Sequence, residues 1–84
     1  MFKYLVTTFR TPRFDPAVID AHYAFLDELR QSGRLELAGP FMDKSGGAYL
    51  ITAADLEEAQ TIAFRDPVHT SKSSIVTVYE WDVK

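Results

Sequence analysis

Residues 34–53, RLELAGPFMDKSGGAYLITA, decide the fold because they have the pattern of two neighbouring strands joined by a tight turn. The period-two alternation over Arg34–Phe41 predicts the first strand. Pro40 cannot donate a hydrogen bond to a sheet, so we expect this end of the strand at a sheet edge or a bulge. In Asp43–Gly47, paired glycines supply the positive φ angles of a hairpin turn. Ala48–Ala53 is the returning strand, which gives the chain a central β-hairpin.

A helix is predicted on the N-terminal side of this hairpin. Asp15 is a suitable N-cap, Pro16 suits the first helical position, and Gly33 ends the helix. Apolar side chains recur along one face at spacings of three, four and seven: Val18, Ile19, Phe25, Leu26 and Leu29. The helix therefore has one face suited to packing against the sheet.

A second helix follows the hairpin, and one further strand lies at each end of the pattern. Asp55 and Glu58 have the spacing of a capping box, and Asp66-Pro67 closes the helix. Phe2–Phe9 is rich in β-branched and aromatic residues, and Ser74–Val83 is the longest alternating stretch. These elements complete the order β-α-β-β-α-β.

This order predicts one α+β domain of the ferredoxin-like type, over residues 1–84, with a four-stranded antiparallel sheet and both helices on one face. The other face would then be bare, although the strands carry apolar side chains on both sides. A chain of 84 residues without cysteine has a thin core and no disulfide support. We therefore expect a homodimer in which two sheets cover each other.

Composition disfavours several classes of function. Twelve acidic residues outweigh nine basic ones, the net charge is -3, and the basic residues are scattered singly. This charge repels phosphate backbones, so we expect no nucleic-acid partner. The apolar start of the chain is too short and too interrupted for a signal peptide or a membrane span, which favours the cytoplasm and no membrane partner.

His22 and Asp66 are the candidate catalytic residues. His22 shares the core-facing side of the first helix, and an imidazole that titrates near neutral pH can act as a general acid or base. A partly buried histidine bonded to backbone groups is the structural alternative. Asp66 lies at the C-terminal end of the second helix, where an anion needs a compensating donor; an ordinary Asp-Pro turn is the alternative. Because the last strand is expected beside the first, a hydrogen bond between these side chains is feasible.

Other polar residues carry weaker signals. His69 could join His22 and Asp66 around a metal ion, but no helix carries a pair of histidines at ligand spacing, so we expect no metal and no cofactor. Arg10 and Arg13 precede the first helix. They either add positive charge that favours an anionic ligand or are solvated loop charges.

Several short motifs together resemble a known family. In chain order they are His22, Phe25-Leu26, Leu29, Gly33-Arg34-Leu35, Ala38-Gly39-Pro40, Gly46-Gly47, Glu58-Ala59 and Asp66-Pro67. The series resembles the YCII-related (YciI-like) family of small dimeric α+β barrel proteins over nearly the whole chain. The resemblance implies an enzymatic role for His22 and Asp66. We expect the pocket around them to be lined by these further residues: Arg10, Arg13, Gly39, Pro40 and Phe41. The chain departs from the family pattern at Val68, where an aromatic residue is usual, and at Lys72, where glycine is usual.

These observations lead to two main hypotheses. One is a cofactor-free enzyme of lyase, isomerase or dehydrochlorinase type, in which His22 transfers a proton on a small oxygenated organic molecule and Asp66 orients it. The other is a non-catalytic module that binds a small ligand or supports assembly. A metal-dependent, oxygenase-like barrel is a third option.

Overall fold

The computed structural model describes residues 1–84 and contains four strands and three helices. The strands are β1 (Phe2–Arg10), β2 (Leu35–Pro40), β3 (Gly46–Ala53) and β4 (Ser74–Glu80), and the helices are α1 (Val18–Gln31), α2 (Leu56–Ala63) and α3 (Pro67–Thr70). The strands form one antiparallel sheet in the order β2-β3-β1-β4. The structure therefore has the predicted ferredoxin-like α+β fold, with a short third helix in addition.

The core lies between the helices and one face of the sheet. Alternate residues of the two central strands point to this side, among them Val6 of β1 and Ile51 of β3, which are fully buried. Helix α1 contributes Phe25, Leu26 and Leu29 from the predicted apolar stripe. This packing fixes the position of α1, and therefore of His22, above the sheet.

None of the helices is both long enough and apolar enough to cross a membrane.

The opposite face of the sheet carries no helix. The strand register places Leu37, Leu50, Leu5 and Tyr79 in one row across all four strands. Leu37 is 68% exposed and Tyr79 is 52% exposed. We call this surface the open face.

Helix α1 begins later than the sequence predicted. Residues 15–17 form a turn in which the Asp15 carboxylate accepts a hydrogen bond from the backbone N–H of Ala17 at 3.0 Å. The first helical residue is Val18. Asp15 therefore caps a turn that precedes the helix. Gly33 ends the helix as predicted, with a left-handed φ of 79°.

The hairpin turn is also displaced. Gly46 and Gly47 belong to β3, where they pair with Phe9 and Thr8, and the left-handed turn residue is Lys44, with a φ of 63°. A Cβ atom at Gly46 would overlap the backbone carbonyl of Thr8. The glycines therefore allow close approach of strands instead of forming the turn. Strand β4 was predicted to reach Val83 but ends at Glu80.

Candidate active site

A cavity of about 90 Å³ opens between α1 and the ends of β1, β2 and β3. Helix α1 contributes His22 and Tyr23 to its wall, and strand β1 contributes Thr8 and Arg10. Small and apolar groups complete the lining, including the glycines of the hairpin. The cavity therefore combines an ionisable ring with a mainly neutral wall.

His22 is held by a buried carboxylate. Its Nδ1 atom lies 2.8 Å from Oδ1 of Asp66, and Asp66 is fully buried. A carboxylate can only accept a hydrogen bond, so Nδ1 carries the hydrogen and donates it. The His22 side chain remains 18% exposed. The ring lines the cavity, and its other nitrogen, Nε2, makes no hydrogen bond within the chain.

Asp66 is held by three donors at once. Besides His22, its Oδ1 atom accepts a hydrogen bond from the backbone N–H of Val68 at 3.0 Å, and its Oδ2 atom accepts one from the hydroxyl of Tyr49 at 3.1 Å. Asp66 is the N-cap of α3, which begins at Pro67. The predicted end of the second helix at Asp66-Pro67 is wrong, because α2 ends at Ala63, three residues before Asp66. The three donors compensate the burial of the Asp66 charge.

Tyr49 is the site residue that sequence reasoning missed. It is buried in the core, and its hydroxyl donates a hydrogen bond to Asp66. Burial and the negative charge of Asp66 raise the pKa of the Tyr49 hydroxyl far above its ordinary value. It therefore stays protonated and serves as a hydrogen-bond donor. The available signal was a tyrosine at a buried strand position, because a buried phenol hydroxyl needs a partner.

The structure separates the other predicted pocket residues into two groups. Arg10, Gly39 and Pro40 line the cavity, whereas Arg13 and Phe41 do not. Arg13 is exposed in the loop after β1, and the Phe41 ring packs against Phe9, with centroids 5.5 Å apart. The Arg13 side chain therefore faces solvent, and the Phe41 ring lies against Phe9 instead of the cavity.

Two further polar predictions concern the segment around α3. The His69 ring stacks on Phe64, with ring centroids 4.6 Å apart, and makes no hydrogen bond to the side chains of His22 and Asp66; only its backbone N–H donates to the Asp66 carbonyl, at 2.9 Å. Lys72, where the family pattern has glycine, adopts a left-handed φ of 61°. This backbone conformation explains why glycine suits the position.

The arrangement of strands and helices is that of the ferredoxin-like α+β proteins. Within that class, the chain belongs to the YCII-related domain family, whose model matches residues 3–82. It is 46% identical to the uncharacterised protein YjpA of Bacillus subtilis (strain 168) over 84 residues, which are 100% of this chain and 99% of YjpA. The resemblance read from the short motifs is therefore confirmed.

Solved structures share the fold at low sequence identity. A 5-chloro-2-hydroxyhydroquinone dehydrochlorinase from Burkholderia phenoliruptrix AC1100, in complex with 2,5-dihydroxybenzoquinone, has a TM-score of 0.75 and 19% identity, over 98% of this chain and 95% of that one. Muconolactone isomerase has a TM-score of 0.63 and 16% identity, over 98% and 90% of the two chains. An antibiotic biosynthesis monooxygenase has a TM-score of 0.66 and 16% identity, over 100% and 99%.

Proposed function

We propose that this protein is an enzyme that transfers a proton on a small oxygenated organic molecule, with His22 as general acid or base and Asp66 as its positioning residue. One observation carries the proposal: a buried carboxylate holds Nδ1 of a histidine whose ring lines a cavity. General acid–base catalysis needs an imidazole that is fixed in one tautomer and within reach of the substrate. The contact at 2.8 Å between Nδ1 of His22 and Oδ1 of Asp66 supports the first requirement, and the place of the ring in the cavity wall supports the second.

The chemistry follows from the hydrogen bonds of this group. Nε2 of His22 removes a proton from the bound molecule, and Asp66 stabilises the imidazolium that forms. The proton then returns to another atom of the same molecule, or it assists a leaving group. Tyr49 and the backbone N–H of Val68 keep the carboxylate in place during both steps. No cofactor is needed for this sequence.

The reaction class we propose is that of an isomerase, a lyase or a dehydrochlorinase. Two proteins of the same fold are a muconolactone isomerase and a dehydrochlorinase in complex with 2,5-dihydroxybenzoquinone. Their names support small oxygenated molecules as the class to test, although a shared fold does not transfer an activity. The His22 geometry carries the proposal independently of them.

We also propose that the protein forms a homodimer through the open face. This face is largely apolar, and its charged residue Lys3 is paired with Glu36. A second copy would present the same apolar row without bringing like charges together. Large exposed apolar surfaces of this kind are typical of protein interfaces.

The first test of the catalytic proposal is the tautomer of His22, observed by two-bond ¹H–¹⁵N correlation spectra of the imidazole rings. We expect the hydrogen on Nδ1 in the wild type and a mixture of tautomers in Asp66→Asn, because the carboxylate is then lost. His69 provides the internal reference, since its side chain makes no hydrogen bond to Asp66. A hydrogen on Nε2 in the wild type would overturn the arrangement of the pair.

The second test measures proton transfer directly. Muconolactone and 2,5-dihydroxybenzoquinone are incubated with the protein in D₂O, and exchange of carbon-bound hydrogen is followed by NMR. We expect accelerated exchange with at least one probe, and a loss of roughly 100-fold or more in His22→Asn. His69→Asn is the matched control and should exchange at the wild-type rate. Saturable binding without exchange would instead support a non-catalytic binding module.

A further inference from the structure

Arg10 is a cation with no anionic partner at the cavity. It occupies the position of β1 that follows Thr8 on the helix-facing side, and it lines the same cavity as His22. Its side chain takes part in none of the ion pairs or hydrogen bonds of the chain. The guanidinium donors are therefore available to a ligand.

The guanidinium group is nevertheless held in place. Its central carbon lies 4.2 Å from the centroid of the Phe14 ring, which also lines the cavity. Such stacking orients the flat guanidinium group without using its N–H donors. Arg10 is thus positioned to bind an anion before any ligand arrives.

The loop that carries Phe14 is fastened to the segment before β4. The Thr11 hydroxyl donates to the backbone carbonyls of Lys72 and Ser73, at 2.9 and 3.2 Å. The backbone N–H of Asp15 donates to the buried Ser73 hydroxyl at 3.4 Å. These contacts fix both ends of the short loop that places Phe14 over Arg10.

The rest of the cavity lining includes apolar groups that can contact the body of an organic ligand. Ile19 and Leu26 of α1 form part of one wall, and Gly47 and Ala48 of β3 form part of the floor. The negative charge of the buried Asp66 carboxylate is already compensated by hydrogen bonds from its three donors. An anionic ligand would therefore meet Arg10 as its principal charged partner.

We propose that the cavity selects small, flat organic anions, with a carboxylate or enolate oxygen on the guanidinium of Arg10 and the reacting hydrogen at Nε2 of His22. This inference rests on the proposed function, because it takes His22 as the proton-transfer group. It adds that the substrate is an anion and that Arg10 is the residue that binds its charge. Bidentate binding to a planar oxyanion is the recognition mode that arginine favours.

The test compares sodium benzoate with benzamide, which has the same flat shape without the charge. Binding is followed by chemical shifts of the His22 ring in wild type, Arg10→Gln and Arg13→Gln. Arg13 is the matched control, because it lies in the same loop region but outside the cavity lining. We expect saturable benzoate binding at least tenfold tighter than benzamide binding, a loss of that preference in Arg10→Gln, and wild-type behaviour in Arg13→Gln.

Several results would overturn the proposal. They are equal binding of benzoate and benzamide, wild-type benzoate affinity in Arg10→Gln, and no saturable benzoate binding up to its solubility limit. The experiment remains separate from the test of catalysis. Arg10-dependent benzoate binding together with a failed deuterium exchange would keep the anion site and reject the enzyme. The reverse combination would keep the enzyme and reject the anion site.

Discussion

At the scale of single residues, the site depends on Asp66. Its carboxylate accepts hydrogen bonds from His22, Tyr49 and Val68, and it also caps α3. A fully buried carboxylate is stable only when its oxygens are bonded in this way. The same contacts fix the position of the His22 ring, so one residue joins the stability of the fold to the geometry of the cavity.

Tyr49→Phe tests this joint role. We expect a loss of roughly 1–3 kcal/mol in the free energy of unfolding, because the buried carboxylate loses one of its donors. The raised pKa of Tyr49 adds a pH signature. The contribution of the protonated Tyr49 hydroxyl to the free energy of unfolding is complete at pH values below its ordinary pKa of 10.0. This contribution is lost as the pH rises through the pKa of the folded state. Urea denaturation at neutral and alkaline pH therefore measures both effects.

Tyr79→Phe is the control for that experiment. Tyr79 is half-exposed on the open face and makes no hydrogen bond to a buried group. It should change the free energy of unfolding little. Equal stabilities of Tyr49→Phe and wild type at neutral pH would contradict the role assigned to the hydroxyl.

The sequence predicted this site in part. His22 and Asp66 could be found because one lies in an apolar helical stripe and the other precedes a proline at a helix end. Tyr49 could not be assigned to them, since its bond to Asp66 joins β3 to α3 across the core. Local patterns report which face a side chain occupies, but they do not report which hydroxyl meets which carboxylate.

At the scale of elements, predictions succeeded where a pattern was long and failed where it was short. The apolar stripe of α1 and the capping-box spacing of α2 each predicted a helix, and both helices are present in the structure. Helix α3 spans only Pro67–Thr70, which is too short for a hydrophobic period, so its sequence read as a plain turn. The glycines of the hairpin were placed in the turn because their tertiary neighbour Thr8 lies in another strand.

The joint between β2 and α2 depends on Glu58. Its Oε1 atom accepts hydrogen bonds from Arg34 at 2.7 Å and from the backbone N–H of Ala54 at 3.1 Å. The hydrogen bond from Arg34 is the main cause that holds the pKa of the Glu58 carboxyl below its ordinary value, and the hydrogen bond from Ala54 is the second. The backbone N–H of Glu58 in turn donates to the Asp55 carboxylate at 2.8 Å, which completes the predicted capping box.

Glu58→Gln should therefore weaken the protein in a pH-dependent way. A lowered folded-state pKa stabilises the protein above the ordinary value of 4.5, and this stabilisation is lost as the pH falls through the folded-state value. We expect the variant to melt below wild type at neutral pH and the gap to narrow in acid. Thermal melts across this pH range measure the difference.

Glu57→Gln is the matched control, because Glu57 lies in the same first turn of α2 but its carboxylate makes no bond. Its melting temperature should stay close to that of wild type at neutral pH. A Glu58→Gln gap that stayed constant down to strongly acidic pH would contradict the link to Arg34.

Across the molecule as a whole, the open face is an apolar surface that no helix of the same chain covers. The helices cover one side of the sheet and leave the row through Leu37 and Tyr79 in contact with solvent. A second copy would remove this row from water. Burying a leucine side chain is favourable by roughly 1.5–3 kcal/mol, and each copy contributes its own.

Leu37→Lys should therefore separate the two copies without unfolding either. The side chain is 68% exposed in the single chain, so its replacement costs the isolated fold little. We expect sedimentation velocity to give a dimer for wild type and a monomer for the variant at the same concentration, with similar circular dichroism. Met42→Lys, at a fully exposed turn position, is the control and should remain a dimer. A monomeric wild type would reject the interface.

The strand order also has a kinetic consequence. Strand β1 lies inside the sheet and pairs with β3 and β4, so Thr8 must meet Gly47 and Val76. Contacts between such distant parts of a chain give a high contact order, which slows folding. During synthesis, β1 leaves the ribosome long before β4 exists to cover its second edge. The sheet can therefore close only after translation has passed Glu80, and until then the edge of β1 that pairs with β4 stays open to pairing with other chains.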